Sequence, residues 1–140
     1  MRNIIFLSAN YEYTCLVAKQ FAEQKNLDFM DINYYVETKL AKNLEKQSAL
    51  SKYTEQLVLD ALQKQNKVFA MDIVYLACKK IKDFCFEGQY LVYLAVEKER
   101  RTYPYSIAGD ELEKHFISKA DFVINENDIP NMLELINFKE

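Results

Sequence analysis

Five short apolar runs punctuate the chain: Asn3 to Leu7, Leu27 to Met30, Val68 to Met71, Tyr90 to Ala95 and Phe122 to Ile124. Runs of this length without polar alternation are the pattern of strands buried on both faces of a parallel sheet. Between them apolar positions recur at helical spacing. Val17, Ala18, Phe21 and Ala22 share one face from Thr14 to Gln24, with Lys19, Gln20, Glu23 and Gln24 opposite. Tyr34 to Lys46 reads as a helix on Val36, Leu40 and Leu44, and Ser51 to Lys64 as another on Tyr53, Leu57, Ala61 and Leu62. Val74, Ala77, Cys78 and Ile81 predict the next helix. Asp110 predicts an N-cap for Glu111 to Lys119, whose Leu112, His115 and Phe116 lie on one side. Ile129, Met132, Leu133 and Ile136 predict a terminal helix opened by Asp128 with Pro130 in its first turn. Thr102 to Ser106, polar and aromatic around Pro104, reads as a surface excursion.

Strands alternating with helices imply crossover connections and a parallel sheet with helices on both faces. In such sheets ligands bind beyond the carboxyl ends of the strands. That rule places Ser8 to Cys15, Asp31 to Asn33, Asp72 and Val96 to Arg101 around one crevice.

Length and composition narrow the function. At 140 residues the chain is expected to form one domain, residues 1–140, large enough to bury a core without crosslinks. Its 18 basic and 21 acidic residues give a net charge of -3, which lacks the positive field that nucleic-acid binding needs. No apolar stretch approaches the roughly 20 residues of a membrane span. The three cysteines, Cys15, Cys78 and Cys85, have no metal-ligand spacing and read as free thiols, which fits the cytoplasm. Only two glycines occur, Gly88 and Gly109, and neither lies near the first loop, although backbone that wraps a phosphate generally needs glycine.

The order of elements, together with several side chains, resembles the shikimate kinases, members of the P-loop nucleoside monophosphate kinase fold. The segment Ile4 to Phe21 is similar to that family's strand, phosphate loop and helix; Asp28 to Glu37 resembles its aromatic-x-Asp-x-Asp stretch; Phe116 to Ile124 resembles its closing Ala-Asp and strand. The resemblance implies a three-layer α/β/α domain with a five-stranded parallel sheet in the order 2-3-1-4-5. It makes Ser8, Asn10, Tyr11, Glu12, Tyr13, Thr14 and Cys15 the phosphate loop, and Asp31, Asn33, Lys52 and Asp72 the substrate-like pocket.

The departures from the family fall on the chemistry. Ser8, Tyr11 and Tyr13 stand where the loop has glycines, Thr14 where it has its catalytic lysine, and Cys15 where it has its magnesium-binding hydroxyl. Asn33 replaces an acid that would hold the substrate's hydroxyls, and Leu112 or Glu113 takes the place of a substrate-binding arginine. A loop of side-chain-bearing residues resists the conformation that points successive N–H groups at a phosphate. Glu12 adds negative charge, and nothing in the loop replaces the lysine that steadies the transferring phosphoryl group. The expected protein is therefore a shikimate-kinase-like domain without phosphotransfer, an assigned catalytic residue, a metal or a cofactor. It would bind a small molecule or a protein partner, but neither nucleic acid nor membrane. The alternative is an active small-molecule kinase using ATP and Mg, with Asp31, Arg100 and Arg101 as its catalytic residues and Asp31 at the metal. A third reading is a structural partner that pairs through an exposed aromatic patch.

Several residues have a plainer account beside a sharper one. Cys15 is either a thiolate stabilised by a helix N-terminus or a small, partly buried substitute for a hydroxyl residue. Asp31 and Asp72 either share a metal or cap helices. Arg100 and Arg101 with Tyr103 and Tyr105 either grip an anion or form a solvated cluster. Tyr11, Tyr13, Tyr34 and Tyr35 are expected to gather at the nucleotide position and fill it. His115 is expected to be packed or at a rim.

Overall fold

In the computed structural model, which describes residues 3–42, 52–64, 67–97, 99 and 107–131, the chain forms β1 (Ile4–Ser8), α1 (Tyr11–Lys25), β2 (Asp28–Asp31), α2 (Ile32–Lys42), α3 (Lys52–Leu62), β3 (Lys67–Ala70), α4 (Lys79–Phe86), β4 (Tyr90–Ala95), α5 (Ile107–Lys119) and β5 (Phe122–Asn125). The strands form one parallel sheet in the order β2-β3-β1-β4-β5. This is the order that the resemblance implies.

β1 lies at the centre, its five residues all buried. Because strand side chains alternate, Ile4 and Phe6 face one layer while Ile5 and Leu7 face the other. The first layer is α1, whose Val17, Ala18, Phe21 and Ala22 pack on Phe6, Val68, Ala70, Val92 and Leu94. Phe6 and Phe21 meet with ring centroids 5.4 Å apart. The second layer sets Ile32 and Val36 of α2, Leu57, Val58 and Ala61 of α3, Ile81 and Cys85 of α4 and Phe116 of α5 on Ile5, Leu7, Phe69 and Tyr93. α1 therefore leaves β1 toward one face, while the chain after β3 turns to the other. The carboxyl ends of β1 and β3 are the switch point where such sheets open a crevice.

Local chemistry explains the element ends. α1 stops at Asn26, which takes the left-handed conformation (φ 55) and donates its N–H to the carbonyls of Ala22 and Glu23. Gly88 has φ +87, strained for any other residue, and turns the chain into β4.

Three sequence expectations are corrected. The helix expected on Val74 to Ile81 is broken: Ile73–Ala77 is a 3-10 turn, Cys78 is extended, and α4 starts at Lys79. Asp110 is not an N-cap, because α5 begins at Ile107 and runs through Gly109, although glycine costs a helix interior about 1 kcal/mol relative to alanine. The segment Glu126–Asn131 is a 3-10 turn rather than the first turn of an α-helix. The rest of the expected terminal helix, the excursion from Thr102 to Ser106, and Arg100 and Arg101 lie outside the described residues. No described helix is long and apolar enough to cross a membrane.

Candidate functional site

At the carboxyl end of β1 the strand passes to α1 through only Ala9 and Asn10. Asn10 is extended (φ -134, ψ 104) and its Oδ1 accepts the Tyr13 N–H at 3.1 Å, an ordinary helix N-cap. Its carbonyl accepts the Thr14 N–H at 3.0 Å. Ser8 and Thr14, 2% and 0% exposed, close the space beneath. Their hydroxyls bond to each other, and both reach the Asn10 carbonyl, Ser8 Oγ at 2.7 Å and Thr14 Oγ1 at 3.0 Å. The Asn10 N–H in turn donates to Ser8 Oγ at 3.0 Å. Each hydroxyl has one proton, so the pair shares two protons over the link between them and the carbonyl. Among the described residues the only positive φ values are those of Asn26 and Gly88, so no nest of inward-pointing N–H groups is formed between Ser8 and Cys15. Glu12, exposed in the first turn, complements the positive end of the helix.

The substrate-like positions lie at the ends of β2 and β3. Asp31 precedes α2 and caps it, Oδ1 accepting the Tyr34 N–H at 3.1 Å. Its Oδ2 accepts the Cys15 thiol at 3.3 Å. Both oxygens thus hold α1 and α2 together at their N-terminal ends. Asn33 Oδ1 accepts the Asp72 N–H at 3.1 Å, and its amide approaches Asp72 Oδ2 at 3.5 Å. Asn33 and Asp72 are therefore brought together beside Asp31, and the charges of Asp31 and Asp72 reach the phenol of Tyr75. Burial, then Asp72, Glu37 and Asp31, push that phenol up to about 12. Among the described residues no group of three His, Cys, Asp or Glu side chains is placed to hold a metal ion. Lys52 is exposed at the start of α3.

The tyrosines do not gather. Tyr11 and Tyr13 pack on the α1 face of the sheet, Tyr35 packs on the opposite face beneath Lys39 and Lys64, and Tyr34 is 68% exposed. α1 and α2 cover different faces of the sheet, so rings adjacent in sequence pattern are separated by it. Cys15 lies past the first turn of α1, and burial raises its thiol above the ordinary value, with Lys19 opposing.

Sequence reasoning missed two contacts and the place of one acid. Cys78, in the break before α4, donates its thiol to Glu55, which also lies 4.0 Å from Lys80. Tyr93, buried in β4, donates its hydroxyl to Glu113 Oε1 at 2.7 Å. Glu37 stands one turn after Asn33 on α2, an i, i+4 spacing that was a readable signal for a further acid on that face. The other two pairs join residues distant in sequence and left no such signal.

Two outcomes follow. Asp31→Ala is expected to cost about 1 kcal/mol through the lost cap, and Asp31→Asn distinctly less because an oxygen remains for the Tyr34 N–H. Equal losses in urea unfolding would contradict the capping role. Burial and the Glu55 carboxylate push the Cys78 thiol up to about 11, and burial pushes Cys85 up to about 12. Groups held neutral in the fold contribute stability that is present below their ordinary values of 9.0 for the thiols and 10.0 for Tyr75 and is lost as pH rises toward 11–12. The urea midpoint should fall between pH 9 and 11, and a flat profile there would overturn the assignment.

No family model matches the chain, and no curated protein does. Solved structures do. The shikimate kinase of Bacteroides thetaiotaomicron is 18% identical, with a TM-score of 0.70 over 96% of this chain and 97% of its own. The shikimate kinase of Aquifex aeolicus is 16% identical, with a TM-score of 0.70 over 94% of each chain. That of Acinetobacter baumannii, solved in complex with shikimate, is 16% identical with a TM-score of 0.68 over 96% and 93%. At these identities the likeness is one of fold.

Proposed function

We propose that this chain, built on the shikimate kinase fold, is a ligand- or protein-binding regulatory module without phosphotransfer activity. One observation carries the reading. The N-terminus of α1, the end of a helix that holds phosphate in P-loop proteins, is occupied by the chain's own Ser8, Asn10 and Thr14, bonded to one another, with Asn10 accepting the Tyr13 and Thr14 N–H groups. A polyphosphate there would have to displace these bonds. It would find no lysine in the loop from Ser8 to Cys15, and the Asp31 carboxylate, bonded to the Cys15 thiol, stands beside that loop. The side chains point away from the chemistry that the fold performs elsewhere, and fold alone does not carry function.

The alternative, an active small-molecule kinase with ATP and Mg, rests on the fold likeness over nearly the whole chain and on Asp31 at the end of β2. A thermal shift with millimolar MgATP separates the two. No stabilisation is expected. A site filled to about 100 times its dissociation constant would add roughly 2.7 kcal/mol, and a rise in melting temperature of that size would overturn the proposal.

A further inference from the structure

We draw no further inference here: the strongest candidate, the cluster of Asp31, Glu37 and Asp72 around Tyr75 at the carboxyl ends of β2 and β3, belongs to the site already described, and nothing among the described residues shows what it would hold.

Discussion

Thr14→Lys, which puts back the residue that the shikimate kinase resemblance calls for, is expected to destabilise the protein by on the order of 3–5 kcal/mol and to create no nucleotide site. Thr14 is completely buried, and its hydroxyl is shared with Ser8 and the Asn10 carbonyl. A lysine there loses that link, leaves Ser8 Oγ only its bonds to the Asn10 carbonyl and N–H, and brings an ammonium into a space shaped for a methyl and a hydroxyl. The carbonyl of Asn10 is already engaged by the Thr14 N–H, so it offers the charge little compensation. At this chain length the loss corresponds to a fall in melting temperature of roughly 10–20 °C. Thr14→Val, which keeps the volume and removes only the hydroxyl, should lose about 1–3 kcal/mol. Calorimetry of both variants with and without MgATP is the check. A lysine variant as stable as the parent, or one that MgATP stabilises, would mean that the α1 N-terminus is an open phosphate site and that one side chain had closed it.

Phe6→Ala is expected to cost about 3–5 kcal/mol, the range for an aromatic side chain removed from a close-packed core. Phe6 is fully buried in the central strand and packs against Phe21 of α1. Tilted aromatic pairs of this kind contribute about 0.5–1.5 kcal/mol beyond the area they bury. The same residue matters to the site, because its carbonyl accepts the Met71 N–H at 3.3 Å and so sets the end of β3 beside the end of β1. Phe6→Leu, which keeps most of the apolar volume, should recover much of the loss. A loss below about 1.5 kcal/mol for the alanine variant in urea unfolding would show that α1 is not held to the sheet through this contact.

Much of the framework was legible because burial leaves a local mark. A strand covered on both faces is apolar throughout, and β1 and β4 read that way directly. A helix covered on one face shows its stripe, and Val17, Ala18, Phe21 and Ala22 lie where that stripe put them. Where two local signals competed, the reading failed. Asp110 looked like a cap, yet α5 starts at Ile107 and runs through it. The apolar spacing of Val74, Ala77, Cys78 and Ile81 looked continuous, yet the chain is extended at Cys78, whose thiol reaches Glu55 on α3. The Glu55 contact is 23 residues away in sequence and could not be seen in the spacing.

The sequence by itself determined the alternation of strands and helices, the two-sided burial of the central strand, and the absence of glycine and lysine from the first loop. Those properties depend on residue type and short-range period alone. Through its resemblance it also supplied the strand order. Only the tertiary structure decided what the loop residues do instead: that Asn10 caps α1, that Ser8 and Thr14 seal the space beneath it, that Asp31 spends both oxygens on α2 and Cys15, and that the four tyrosines part across the sheet. The physical reason is that hydrogen bonds between side chains depend on which elements the sheet sets side by side, and no periodicity along the chain records that.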